Sequence, residues 1–284
     1  MKESAHHIQL LLDKQRNTLE EQLKEAIENG MILKQYAPVK KKRQKESVRE
    51  FASRLFRHAS KYQFVHVVFD GERKYVAFGV SGPIITKQGK FTLLSASVVG
   101  GKWGWHYVLL YPDLETVMEK KEIFIRLDSG CLSGQMFGDI TCDCREQFDI
   151  ALKSCQTNES GIIISIPRHD GRGWNEFKMA NQQLMNDCWL DTVAAAKLFY
   201  QDEMAIDQRT YTEAVLILRA LGFGERHSFS LATNNPRKIG AFHALGMNME
   251  RPQPIVAQKM NPFLKRNLIA KSKNWKHDFG RPIA

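Results

Sequence analysis

Three cysteines fall within fourteen residues, in the order Cys131-x10-Cys142-x-Cys144. Thiolates are soft ligands suited to Zn2+. Three protein ligands leave one coordination position for water. That is the catalytic arrangement, because an open zinc site brings the pKa of its water toward ~7. Cys155 would close the site into a structural one if it joined, but its expected place inside a helix argues against that. Three small buried thiols without a metal are the plain alternative. With Cys188 the chain has five cysteines, and an odd number without an apolar leader argues against a disulfide framework.

Two further segments bring cations to loops. Ile162-Ile-Ile-Ser-Ile-Pro-Arg168-His-Asp170-Gly171-Arg172-Gly173 reads as an apolar strand, a glycine-bearing loop and a helix start. Exposed backbone N–H groups and a guanidinium there make an anion-binding geometry. Phe229-Ser-Leu-Ala-Thr233-Asn-Asn-Pro236-Arg237-Lys238 reads as a strand ending in a polar turn with two cations. The alternative is an Asn-Asn-Pro turn whose Arg and Lys are solvated.

The elements that must position these groups follow from periodicity. Residues 1–38 are expected to be helical, with Ile8, Leu11, Leu12, Leu19, Leu23 and Ile27 at three- and four-residue spacing and Gly30 as a stop. This stripe is expected to pack on the body of the protein or across a dimer interface. The basic run Lys40–Arg43 with Lys45 reads as a solvated linker rather than a nucleic-acid arm. A short amphipathic helix is expected over 46–60, with Val48, Phe51, Leu55 and Phe56 apolar. Phe64–Phe69 and Tyr75–Phe78 read as a hairpin across Asp70-Gly71. Strands follow at Phe91–Val99, His106–Tyr111 and Ile123–Leu127. Helices then alternate with apolar strands: a helix over Gln147–Cys155, a buried strand over Gly161–Ile166, a long helix over 175–200, a helix over 211–221 and a strand over 228–233. The tail, 257–284, is basic and polar and is expected to order only on a partner or ligand. The pattern is α+β or α/β, without internal repeats.

The 284 residues suffice for one large domain or two small ones. Hydrophobic residues at 43% and charged residues at 25% exclude a disordered or collagen-like chain. No stretch reaches the roughly 18 apolar residues of a membrane helix, and no apolar leader is visible, so a cytoplasmic protein is expected. The 41 basic and 31 acidic residues give a net charge of +10. That excess suits an anionic partner without choosing among nucleic acid, membrane surface and phosphorylated small molecule.

Arg126-Leu-Asp-Ser129-Gly-Cys131-Leu-Ser-Gly-Gln-Met-Phe-Gly-Asp-Ile-Thr-Cys142-Asp-Cys144-Arg-Glu-Gln147 resembles the zinc signature of GTP cyclohydrolase II. Later motifs agree in order. Arg168-His-Asp-Gly-Arg172 resembles its Arg-Gln-Glu-Gly-Arg loop, Asp191-Thr192-Val193 its Asp-Thr-Val, and Asp207-x-Arg209 its Asp-x-Arg. Leu221-Gly222 and Thr233-Asn-Asn-Pro-x-Lys238 complete the series. The run Asn261-Pro-Phe-Leu to Lys271-Ser-Lys-Asn-Trp-Lys-His277 is loosely similar to the family's C-terminal end. The likeness covers about residues 84–280.

The resemblance implies a mixed-sheet cyclohydrolase II-like domain over 83–284 and an added N-terminal helical and strand extension over 1–82. It implies a homodimeric, cytoplasmic hydrolase of riboflavin biosynthesis with a nucleotide substrate, no membrane and no nucleic-acid partner. It further implies that zinc-activated water would open the guanine imidazole ring of GTP, that formate and pyrophosphate would leave, and that Mg2+ would assist at the phosphates. Cys131, Cys142 and Cys144 would hold one Zn2+ per chain. Arg126, Ser129, Gly171 and Arg172 would contact the nucleotide, with Gln147 and Asp170 near the base. Thr192, Thr233 and Lys238 would line the phosphate or ribose side. Asp207 would be the general base and Arg209 the residue meeting the α-phosphate. An arginine nucleophile would have to lose its charge, since its pKa exceeds 12, so stabilising the transferring phosphoryl group is the sounder role.

The base side departs from the pattern. The family's Ser-Glu-Cys is Ser129-Gly130-Cys131, its loop Glu is Asp170, Trp174-Asn175 replaces Ile-Gly, and its active-site Tyr falls near Gln183. These changes keep two other readings open. One is a relative acting on another base, such as a pyrimidine in uracil catabolism. The other is a non-catalytic nucleotide-binding protein with structural zinc.

Overall fold

The computed structural model describes residues 19–59, 61–173, 177–200, 203–250, 252–280 and 283. Its frame is an eight-stranded mixed sheet ordered β1-β2-β4-β5-β7-β6-β8, with β3 paired to β4 beside this path. The strands are β1 (Gln63–Phe69), β2 (Glu72–Phe78), β3 (Gly82–Thr86), β4 (Gly89–Val98), β5 (Trp105–Tyr111), β6 (Glu122–Asp128), β7 (Gly161–Ser165) and β8 (Ser228–Leu231). The β1–β2 hairpin turns at Asp70 and Gly71, both with positive φ (50° and 76°), the geometry a tight Asp-Gly turn requires. Strands β1 to β5 and β7 pair antiparallel, whereas β7 and β8 both run parallel to β6.

The alternation within β7 shows how the sheet is covered. Ile162 and Ile164 face one core with Leu94, Leu110, Ile125 and helix α9 (Thr212–Ala220). Ile163 faces the other, with Phe91, Leu109 and Phe124 against Ala151, Leu152 and Cys155 of α5 (Cys144–Thr157). Both faces are buried, so the strand reads as an uninterrupted apolar run.

The N-terminal segment is helical only in part. Helix α1 (Leu19–Glu28) packs Leu23 and Ala26 on Phe64 and Ala77. Ile27 is exposed, against the expectation for the stripe, and Ile8, Leu11 and Leu12 lie outside the described residues. Gly30 takes a left-handed conformation after α1. Residues 31–38 then bond across the sheet edge instead of continuing a helix. Leu33 N donates to Phe64 O (2.8 Å), Tyr36 N donates to Ala220 O (3.1 Å), and the buried Tyr36 ring stacks on Phe78. Helix α2 (Val48–Ala59) forms as expected but buries no side chain fully.

Three further expectations are corrected. The helix expected over 175–200 is two helices, α6 (Phe177–Asp187) and α7 (Thr192–Phe199), because the Asp191 carboxylate accepts from Val193 N and Ala194 N and starts a new helix. The Asn-Asn-Pro turn is a helix start: Asn235 caps α10 (Pro236–Ala244), whose Lys238 is buried, not solvated. The tail, read as basic and polar, forms a packed helix. Asn261 caps α11 (Pro262–Trp275), and Leu264 and Leu268 pack with Ala257 and Phe279. Short helices α3 (Leu114–Met118), α4 (Leu132–Met136) and α8 (Glu203–Ile206) complete the described α-helices. Among the described residues no helix is long and apolar enough to cross a membrane.

Candidate functional site

The parallel strands β6, β7 and β8 end on the same side, and ligands of such sheets bind outside the carboxyl ends of the strands. Each end carries one of the motifs. β6 runs into Ser129-Gly130-Cys131, β7 into Arg168–Arg172, and β8 into Thr233-Asn234-Asn235. Gly130 lets the first two loops meet. Its φ is +54°, and a Cβ there would stand 2.5 Å from Pro167 Cα and 2.9 Å from Ile166 O. The missing carboxylate beside Cys131 is therefore a backbone requirement, since no side chain fits at this close approach. Asp128, buried, fastens the turn by accepting from Gly130 N and from Gln135 Nε2, 3.0 Å each.

Cys131 precedes α4, and Cys144 opens α5, where helix N–H groups favour a thiolate. The sulfurs of Cys131, Cys142 and Cys144 lie within 4.8 Å of one another, and Cys131 and Cys142 are 3.9 Å apart. A tetrahedral ion with Zn–S bonds of about 2.3 Å needs sulfurs roughly 3.8 Å apart, so the spacing fits zinc. Gly134 leaves the room: a Cβ there would meet Cys142 Sγ at 2.5 Å. Hydrogen bonds from the Cys142 and Cys144 thiols lower the Cys131 pKa, helped by Lys178 Nζ at 3.6 Å. The same bonds push Cys142 up to about 12 and Cys144 well above its ordinary value. A divalent cation would relieve this sharing of protons by ionising all three. Among the described residues no fourth Cys, His, Asp or Glu joins the group. Cys155 lies in the apolar core, where burial raises its thiol to about 12, and Cys188 is exposed.

Four cations converge beside the sulfurs. Arg126 donates to Ala232 O (3.1 Å) and Gln147 Oε1 (2.6 Å), and Gln147 in turn donates to Asp143. Lys238 is buried and donates to Leu127 O (2.6 Å); burial, with Arg126 and Arg209 nearby, lowers its pKa. Arg172 donates to Thr192 O (3.1 Å) and Thr192 Oγ1 (2.5 Å), and burial, with Arg209 nearby, lowers its pKa to about 9. Arg209 donates to Ser129 Oγ (3.1 Å) and is gripped by Asp207. Burial opposes the Arg209 charge, yet Asp207 outweighs it and holds the guanidinium above its ordinary pKa. Burial would likewise raise the Asp207 carboxyl, but Arg209 keeps it below the ordinary carboxylate range. Desolvated cations in a cleft are stabilised by a multiply charged anion, and guanidinium forks match phosphate oxygens.

One cleft is lined by thirteen of the fourteen residues singled out for metal or substrate: Arg126, Ser129, Cys131, Cys142, Cys144, Gln147, Asp170, Gly171, Arg172, Thr192, Arg209, Thr233 and Lys238. Asp207 stands behind Arg209. Thr233 Oγ1 accepts from Asn235 N (3.1 Å), and Gly171 N donates to Ser129 O (3.0 Å). The Asp170 carboxylate accepts from Leu132 N (2.9 Å) and Lys178 Nζ (2.5 Å), so it ties α6 to the cysteine loop.

One expectation on the base side changes. Gln183 is exposed, and its neighbour Gln182 faces the cleft instead, with Lys178, Asn181 and Met185. Trp174 lies outside the described residues. The tail carries a loose family likeness in sequence but no expected site residue, yet Asn267, Trp275, His277 and Phe279 line the cleft. Trp275 lies 4.3 Å from the Arg172 guanidinium. The signal was the Asn-Trp-Lys-His run at 274–277, whose aromatic and polar groups are more than a solvated tail needs.

Residues 81–254 match the model of the family described as GTP cyclohydrolase II. The chain is 31% identical over 172 residues to the GTP cyclohydrolase-2 of Campylobacter fetus subsp. fetus, which covers 61% of this chain and 81% of that protein. It is 30% identical over 151 residues to the GTP cyclohydrolase-2 of Picrophilus torridus, covering 53% and 73%. It is 33% identical over 162 residues to the riboflavin biosynthesis protein RibBA of Aquifex aeolicus, covering 57% of this chain but only 38% of that longer protein.

Proposed function

The chain belongs to the GTP cyclohydrolase II family of hydrolases, and from that premise we propose that it opens the imidazole ring of GTP by hydrolysis and releases formate and pyrophosphate. The observation that carries the proposal is the convergence of three cysteine sulfurs and four cations, Arg126, Arg172, Arg209 and Lys238, on one cleft. We extend to this chain the role in riboflavin biosynthesis that the Aquifex relative's name gives. The active form is taken as a cytoplasmic homodimer, with residues 83–284 as the catalytic domain and 1–82 as an N-terminal addition.

Cys131, Cys142 and Cys144 would hold one Zn2+, and zinc there supplies a Lewis acid that lowers the pKa of water toward ~7. Mg2+ would accompany the phosphates. Arg126, Arg172 and Lys238 hold the phosphates and orient the nucleotide, with Thr192 and Thr233 beside them. Gln147 reads the base, fixed between Arg126 and Asp143. Arg209 stays charged and stabilises the transferring phosphoryl group. Asp207, already engaged by Arg209 and by Arg237 at 3.5 Å, is a weak proton acceptor. Its role is to orient Arg209.

A second reading is favoured by Asp170, whose carboxylate is occupied by Lys178 and Leu132 N and is not free to read guanine. It is hydrolysis of another purine or pyrimidine nucleotide at the same zinc. A structural staple is disfavoured, since such sites use four ligands and three gather among the described residues. Incubation with a panel of nucleoside triphosphates and mass spectrometry of the products tests the proposal. Formate and pyrophosphate from GTP support it, opening of a different base supports the second reading, and an intact panel rejects both.

A further inference from the structure

The C-terminal helix lies beyond residue 254, where the family match ends, yet it bonds to both halves of the cleft. The contact is made by Asn267, which is 2% exposed in the middle of α11. Its Nδ2 donates to Thr141 O (2.8 Å), the carbonyl immediately before Cys142. Its Oδ1 accepts from Thr192 N (2.9 Å), and Thr192 in turn accepts two hydrogen bonds from Arg172. One side-chain amide thus satisfies a carbonyl of the cysteine loop and an N–H of the arginine anchor. Only one orientation of the amide serves both, so the contact is directional. Two neighbours on the same helix act alike. Asn261 Nδ2 donates to Ile140 O (2.9 Å), and the Trp275 ring covers the Arg172 guanidinium at 4.3 Å.

We propose that Asn267 is a positioning residue that locks the cysteine loop to the Arg172 anchor, making the C-terminal helix a working wall of the site. The proposal rests on the functional reading of that cleft. Outer-sphere groups that orient ligand-bearing loops affect metal retention by about 10–100-fold. Asn267 does so through backbone, so its influence reaches the metal ligands and the phosphate anchor at once. The two arms are separable. Asn267→Asp keeps the acceptor for Thr192 N and loses the donor to Thr141 O, whereas Asn267→Ala loses both.

The test compares wild type, Asn267→Ala and Asn267→Asp in three measurements. These are zinc release to a chromogenic chelator, kcat and KM for GTP, and labelling of Cys142 by a thiol reagent located by peptide mass spectrometry. Asn267→Ala should release zinc and label Cys142 about tenfold faster, and raise KM for GTP about tenfold. Asn267→Asp should reproduce the zinc and labelling effects with KM near wild type. A folded Asn267→Ala protein that matches wild type in zinc release and Cys142 labelling overturns the proposal. So does an Asp variant whose KM rises while its cysteine loop is unchanged. Should the Ala variant fail to fold, the Asp variant carries the comparison. A wild-type protein that holds no zinc and leaves GTP intact would defeat the proposed function alone, because Cys142 labelling still reads the clamp.

Discussion

Arg209 is gripped by Asp207 through two hydrogen bonds, Nε to Oδ1 at 2.7 Å and Nη2 to Oδ2 at 2.6 Å, while its Nη1 reaches Ser129 Oγ at the start of the cysteine loop. The pair therefore fixes a permanent positive charge beside the sulfurs. The proposed function gives orientation to the aspartate and electrostatics to the arginine.

Replacing each partner should separate those roles. Arg209→Ala should lower kcat by about 100- to 1000-fold, the usual loss for one preorganised donor. Asp207→Asn leaves a buried guanidinium without its counter-charge, and breaking such a pair costs about 3–5 kcal/mol of stability. Its activity loss should come with a lower melting temperature, whereas Arg209→Ala retains zinc. Steady-state kinetics beside calorimetry checks both, and normal turnover in Arg209→Ala contradicts the assignment.

The metal assignment predicts unequal cysteines. Cys142→Ser should lose both zinc and activity. Cys155→Ala and Cys188→Ala should retain one zinc per chain, since Cys155 packs in the core and Cys188 is exposed. Elemental analysis decides this, and full zinc in Cys142→Ser refutes the ligand set.

Gly130 should tolerate no side chain. Gly130→Ala combines a left-handed backbone with a Cβ 2.5 Å from Pro167 Cα, so about 2–5 kcal/mol of destabilisation is expected. Gly130→Glu, which restores the family's carboxylate on paper, should be worse and should not improve GTP opening. A urea midpoint close to wild type for either variant contradicts the reading of this turn.

Buried imidazoles make stability depend on acid. Burial pushes His106 down to about 4 from an ordinary 6.5, and its Nδ1 faces Gly104 O at 3.0 Å. The unfolded chain takes up this proton near pH 6.5 and the folded chain only near pH 4. Stability is thus complete above pH 6.5 and falls as pH drops toward 4, by about 3 kcal/mol from this residue. His277, pushed down to about 3 by burial, adds to the same trend. Urea unfolding from pH 7 to 4 should show a shallower fall for His106→Phe, and parallel curves contradict it.

How much of this was legible in the sequence varies by element. The cysteine spacing, the hairpin at Asp70-Gly71 and the strand over 161–165 were readable, because each depends on neighbours in the chain. The break between α6 and α7 was not, since periodicity continues through Asp191 and only its capping geometry shows the restart. The tail helix was hidden because its buried stripe, Leu264, Asn267, Leu268 and Ala270, is narrow and carries an amide whose value depends on Thr141 and Thr192, far away in sequence. A solvated Lys238 stayed open as an alternative because nothing local announces the Leu127 carbonyl that receives it.

The central claim is metal-assisted ring opening of GTP at Cys131, Cys142 and Cys144, and formate release measures it most directly. Purified protein should contain one zinc per chain and release one formate per GTP consumed. Removing the metal with a chelator should abolish release, and adding back one equivalent of zinc should restore it. Formate release that persists undiminished in fully zinc-free protein, or its absence in protein holding one zinc per chain, would contradict the account.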